Sequence, residues 1–126
     1  MNTALSLLGR IGLALIFIIA GWGKITAYDG TQQYMEAMGV PGALLPLTIL
    51  LELGGGLAIA TGLFTRWTAL ALAVFSVVTA LIFHTHFEDA LQATNFWKNI
   101  ALAGGFLMLA VQGAGACSLD HLRKRS

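Results

Sequence analysis

The sequence predicts an all-α protein with a single domain over residues 1–126: an up-down bundle of four transmembrane helices with a short interfacial helix on the exterior face. Three observations carry this reading. Hydrophobic residues make up 57% of the chain and charged ones 10%, with a mean hydropathy of +0.79, whereas ordinary soluble domains are about 25% charged. The few charges divide the chain into four apolar stretches, each near the roughly 20 residues that a membrane-crossing helix needs. Those stretches lack the polar and apolar alternation of barrel strands, and lipid admits only helices or closed barrels.

The first span runs from about Ala4 to Ile25, with Arg10 inside its start and Lys24 at its end. Arg10 followed by the apolar Ile11 to Gly21 also has the look of a secretory signal. No convincing pair of small residues marks a cleavage site around Gly21-Trp22-Gly23, so the segment is expected to stay as the first helix. After an Asp29-Gly30 turn, Thr31 is expected to N-cap a short helix that runs through Met38; Gly39 ends it and Pro41 prevents its continuation. Tyr34, Met35 and Met38 give that helix an apolar side, which lays it on the membrane surface across the mouth of the bundle. The second span is Ala43 to Phe64, and Gly62 to Arg66 form a tight hairpin into the third, Trp67 to Phe83. The fourth runs from Phe96 to Gln112. Connections this short make neighbouring helices antiparallel.

Orientation follows from Lys and Arg near the span ends. With both termini and the Thr65-Arg66 hairpin in the cytoplasm, Arg10, Arg66, Arg123, Lys124 and Arg125 lie inside, while only Lys24 and Lys98 lie outside. The Tyr28 to Pro46 and His84 to Asn95 connections are then exterior, or periplasmic. Cys117, the single cysteine, falls on the reducing side as a free thiol, and neither an intrachain disulfide nor a CxxC pair can form. A net charge of +1 without a long basic run excludes a nucleic-acid surface.

Glu52 stands out because it is the lone charge in the apolar run Leu44 to Leu63. Even lenient insertion scales put roughly 2.5 to 3.5 kcal/mol on an ionised side chain near the bilayer centre, so it needs a partner, water or a proton. At about 1.5 Å per residue it sits roughly 10 Å below the exterior end of its span. Lys24, Lys98, Asn99, His84 and His86 all fall near that same end on the other three helices. Glu52, Gly55, Gly56 and Ile59 share one helical face, and Lys98, Ala101 and Gly105 share another. Small residues allow close backbone approach, so the second and fourth helices are expected to touch through Gly55, Gly56, Ala101 and Gly105. Glu52 can pair there with Lys98, or equally with Lys24, which follows Ala20 and Gly21 by a turn; the sequence does not choose. The run Gly54-Gly55-Gly56 also suits a kink or a close backbone approach by a ligand.

Other polar and aromatic residues carry weaker signals. His84-x-His86 with Glu88 and Asp89 has a spacing too common near helix ends to define a metal site, and interfacial histidines bonded to water or headgroups are the simpler reading, so no metal is expected. Arg10 and Arg66 are expected to snorkel to the cytoplasmic boundary. Trp22, Trp67 and Trp97 near span ends suit an aromatic belt, with quinone stacking on Trp22 or Trp97 as the functional alternative. No haem, flavin or iron-sulfur motif is present, so no cofactor is evident and no catalytic residue can be named.

The chain also resembles the DoxX family over almost its whole length. The resemblance rests on Arg10 with Ile16-Phe17-Ile18 and Ala20-Gly21-Trp22-Gly23-Lys24, on Gly39-Val40-Pro41, and on Glu52-x-x-Gly55-Gly56 with Gly62-Leu63-x-Thr65-Arg66. It continues through Phe96-Trp97-Lys98-Asn99, Ala103-Gly104-Gly105 and the ending Gly113 to Asp120. Gln33-Tyr34-Met35 is similar to a segment of the small bacterial inner-membrane members. The resemblance implies four transmembrane helices in the inner membrane. It also implies an association with membrane redox systems, since the namesake is a subunit of a thiosulfate:quinone oxidoreductase. The expected function is therefore a non-catalytic or accessory subunit of a quinone- or sulfur-compound-linked redox system, with Glu52 accepting or supplying a proton beside a bound quinone headgroup. Its partners would be the lipid bilayer and a membrane or periplasmic redox protein; self-association stays open. The alternative is a small-molecule or proton permease, or an assembly protein in which Glu52 forms a structural ion pair.

Overall fold

The computed structural model describes residues 2–83, 89–113, 115 and 118–125, the side chains of 2, 3 and 123–125 excepted. Among them the chain forms six helices and no strand: α1 Asn2–Thr26, α2 Tyr28–Ala37, α3 Gly42–Thr61, α4 Thr65–Phe83, α5 Ala90–Gln112 and α6 Leu119–Arg125. α1, α3 and α4 are long and apolar enough to cross a membrane. α5 is of comparable length at 23 residues, but Gln92, Asn95, Lys98 and Asn99 make its first half polar.

The helices carry their hydrophobic residues on both faces. Leu8, Leu15, Ile19 and Trp22 on α1, Leu47, Leu50 and Leu57 on α3, and Trp67, Val74, Val78 and Leu81 on α4 are all exposed. In water such continuous stripes would be an aggregation liability; in a bilayer they are the lipid contact. The interior is small and tightly built. Phe17 meets Phe106 edge-on at 5.4 Å between ring centroids and Phe75 at 6.3 Å, among Ala14, Ile59, Ala69, Leu72, Ala73 and Ala103. Alanine and glycine dominate because close helix approach replaces the hydrophobic effect as the source of packing energy in lipid.

Packing order departs from the expected pairing of the second and fourth spans. α3 lies along α1 and against α4, α5 lies along α4, and α1 meets α5 only lightly, so α3 and α5 are diagonal. The glycines explain this. A Cβ on Gly56 would fall 2.8 Å from Ile18 Cγ1 and 3.2 Å from Ala14 O, and one on Gly21 would fall 3.0 Å from Leu53 N, so both serve the α1–α3 contact. Gly55 faces the Leu72 side chain of α4, Gly105 faces Leu13 of α1, and Ala101 is exposed.

Two local expectations are also corrected. α2 begins at Tyr28, directly after α1, with Asp29 and Gly30 inside its first turn. Thr31 is therefore no N-cap; its Oγ1 donates back to Ala27 O at 2.9 Å. Arg10 does not snorkel. It is 1% exposed, and its Nη1 donates to Ile59 O and Ala60 O, each at 3.1 Å. A cation on carbonyls in the last turn of α3 suits the negative end of that helix. At the same end Gly62 (φ 76°) closes a Schellman turn, with Leu63 N donating to Ala58 O at 2.8 Å and Gly62 N to Ile59 O at 3.2 Å. Asp120 then reaches across from α6: its carboxylate accepts from Phe64 N at 2.7 Å and Thr65 N at 2.8 Å, capping α4 from a distant part of the chain.

Candidate functional site

α3 is not a uniform α-helix. A 3₁₀ turn at Gly42–Leu44 leads into α-helix at Leu45–Ile49, where Pro46 occupies the first turn and needs no amide partner. Leu50–Gly54 is a single π turn, and α-helix resumes at Gly55–Thr61. A π turn adds a residue to the helix without adding rise in proportion, so it rotates the segment on its N-terminal side relative to the segment on its C-terminal side. Glu52 lies in the middle of that turn. Below it Gly56 keeps α3 flush with α1, and at the turn itself the carboxylate is directed at the end of α1.

There it meets Lys24. Nζ stands 2.8 Å from Oε1 and 3.1 Å from Oε2, a two-point contact that resolves the choice between lysines. Lys24 occupies the last turn of α1, where a cation is favoured by the helix dipole. Glu52 itself is 3% exposed. Removing water from such a pair strengthens the attraction and also makes either charge costly to leave alone.

The pair forms part of the wall of an open-mouthed cavity of about 660 Å³ lined by residues of α1 to α5. Ile16, Phe17, Phe75 and Leu102 make its apolar floor; Tyr34 and Met35 of α2, with Phe83, roof it. Tyr34 stacks on Phe83 with centroids 5.5 Å apart and planes 23° apart, and Gln32 Nε2 donates to Gly42 O at 3.3 Å, which ties α2 across the mouth. The polar lining consists of Thr31, Thr48, Glu52, Lys24, Ser76, Thr79, Lys98 and Asn99. Asn99 Nδ2 donates to Thr79 Oγ1 at 3.1 Å and so links α5 to α4 within this lining. An apolar chamber with a few convergent polar groups is the usual form of a small-molecule site.

Of the residues singled out in the sequence, Glu52, Lys24, Lys98 and Asn99 come together on this wall. Trp22 and Trp97 do not: they are 61% and 63% exposed and face outward, so neither is placed to stack on a molecule in the cavity. His84, His86, Glu88 and Cys117 lie outside the described residues. Asp89 caps α5, its Oδ1 accepting from Leu91 N at 2.9 Å. Sequence reasoning passed over Thr48, Ser76, Thr79 and the aromatic floor. Ser76 and Thr79 were detectable as two polar residues one turn apart in an apolar span, which face the interior for the same reason as Glu52.

The family model for DoxX matches residues 5–85. The chain is 58% identical over 116 residues to inner membrane protein YqjF of Escherichia coli K12, covering 92% of this chain and 89% of that protein. It is 41% identical over 124 residues to inner membrane protein YphA of the same organism, covering 93% and 89% respectively. No solved structure matches it. A family model that spans α1 to α4, together with similarity of this extent along both relatives, places the chain in the DoxX family.

Proposed function

We propose that this chain is a four-span protein of the bacterial inner membrane that binds a small, largely apolar molecule with a polar head, as a non-catalytic or accessory subunit of a membrane redox system. The observation that carries the binding role is the Lys24–Glu52 pair set in the wall of a cavity of about 660 Å³, within the range of roughly 300 to 1,000 Å³ typical of ligand sites. Membrane location is supported by the three crossing helices and by the inner membrane relatives. α5 serves as the fourth span because it lies along α4 and turns polar residues into the cavity, leaving an apolar second half. The redox link rests on family membership, and a quinone or a sulfur compound is the class of ligand it favours.

The test is to purify the full chain in mild detergent and titrate a short-chain quinone by native mass spectrometry. Glu52→Gln should abolish binding while the protein still accumulates in membranes; unchanged binding would sink the reading. A second reading is favoured by the two-point contact between Nζ and both carboxylate oxygens, in which the pair chiefly locks α1 to α3. In that case Glu52→Gln lowers stability to unfolding by about 1 to 3 kcal/mol, because the Lys24 left behind is only partly buried, and Lys24→Gln in the same chain recovers most of the loss.

A further inference from the structure

The polar lining of the cavity is not balanced in formal charge, and its hydrogen-bond donors are unevenly distributed. Two lysines and one glutamate line it, Lys24, Lys98 and Glu52, a formal excess of one positive charge. Lys98 makes no ion pair among the described residues. Nor are the two members of the ion pair equally accessible: the Lys24 side chain keeps 27% exposure, while that of Glu52 keeps 4%. The pair therefore shows its cation and hides its anion.

The neutral groups on the wall reinforce this asymmetry. Thr31 donates its hydroxyl hydrogen to Ala27 O, Thr48 to Leu44 O, Ser76 to Leu72 O and Thr79 to Ser76 O, all within the same stretch of chain. Each hydroxyl is thus turned away as a donor. An ammonium carries three donors, and Glu52 does not exhaust those of Lys24. At the level of the ion pair, the charged donors offered to a guest are the ammonium hydrogens of Lys24 and Lys98, beside the second amide hydrogen of Asn99. Below them the floor of Ile16, Phe17, Phe75 and Leu102 offers nothing polar.

We infer that the molecule held in this cavity is an amphiphile with an anionic head and a short apolar tail, the head lying between Lys24 and Lys98 and the tail over Phe17 and Phe75. Lys98 is the residue that selects the charge, since Lys24 is already committed to Glu52. This rests on the proposed binding role and narrows its ligand class. A single-tailed amphiphile free in the membrane and the headgroup of an anionic phospholipid share this chemistry.

The full-length protein, delipidated in a neutral detergent, is titrated by native mass spectrometry with decyl phosphate, decanol, inorganic phosphate and a decyl-substituted benzoquinone. Decyl phosphate is expected to bind one to one and at least tenfold more tightly than decanol or inorganic phosphate. Lys98→Gln should weaken decyl phosphate about five- to tenfold, as expected for loss of one charged hydrogen bond, and Lys98→Arg should retain it. The Lys98→Gln variant should unfold at the same temperature as the parent chain in the same detergent, which a general loss of structure would not allow. Competition by phosphatidylglycerol would assign the head to a bilayer lipid, and no competition would assign it to a free amphiphile. Equal binding of decyl phosphate and the neutral quinone, both indifferent to Lys98→Gln, overturns the anionic head and leaves the proposed function standing. Inorganic phosphate binding as tightly as decyl phosphate overturns the tail. Failure of every probe to bind removes the proposed function as well.

Discussion

A methyl group added at Gly56 would lie 2.8 Å from Ile18 Cγ1 and 3.2 Å from both Ala14 O and Ile18 N, whereas one added at Gly12 would meet nothing within 4 Å. Two of the Gly56 neighbours are backbone atoms that cannot rotate away. Gly56→Ala is therefore expected to cost about 1 to 3 kcal/mol through overpacking of α1 on α3. Gly12→Ala should be neutral or stabilising by up to about 1 kcal/mol, from helix propensity alone. Thermal unfolding of both variants in the same detergent checks the contrast. The two glycines look alike in the sequence, each near a charged residue in an apolar helix; only the neighbouring helix separates them. Arg10 makes the same point. Its position near the start of α1 suits snorkelling, and burial became the better solution because Ile59 and Ala60 carbonyls from the end of α3 stand within 3.1 Å.

The π turn at Leu50–Gly54 is the element on which the site depends. Deleting Gly54, which is exposed and where an added Cβ would meet only Leu50 Cδ1 at 3.8 Å, should return α3 to a regular helix. The segment before the deletion would then turn by about 100° relative to Gly56 and Ile59. With the α1–α3 contact kept, Glu52 would leave Lys24; the expected outcome is loss of ligand binding from a protein that still inserts. Ligand titration of the purified variant is the check, and full retention would show that the turn does not aim Glu52. The triple glycine suggests a kink, but the π turn is not visible in the sequence, since its residues keep helical propensity and its stability comes from the contacts on either side. Asp120 is a second such element. Asp120→Ala removes the acceptor from Phe64 N and Thr65 N and should lower thermal stability by about 1 to 2 kcal/mol, with faster proteolysis of the C-terminal segment. Nothing near Asp120 in the sequence announces this, because the amides it caps lie more than fifty residues earlier.

At the scale of the molecule, the proposed orientation places Arg66, Arg123, Lys124 and Arg125 in the cytoplasm and the cavity mouth under α2 on the periplasmic side. A fluorescent protein fused to the C-terminus should fold and fluoresce. A cysteine placed at exposed Gln33 on α2, in a chain whose Cys117 is replaced by Ser, should react with a membrane-impermeant thiol reagent applied to spheroplasts. Dark fusions or an unreactive α2 would reverse the topology. The thin interior follows from the same physics. The outer faces of α1, α3 and α4 are apolar enough to meet lipid, so the chain needs only enough core to fix helix order, and Phe17, Phe75 and Phe106 with small residues around them supply it.

The sequence by itself determined the helical class, three of the four apolar crossings it predicts, and the need of Glu52 for a partner. These follow from composition, span length and the cost of charge in lipid, which are properties of single segments. Tertiary structure decided which lysine answers Glu52, that the glycine face of α3 meets α1 rather than α5, and that Thr48, Ser76, Thr79 and Asn99 share a chamber with the pair. Those outcomes depend on how each helix is rotated about its axis relative to its neighbours. One extra residue in the turn around Glu52 changes that rotation while leaving every segment-level signal as it was.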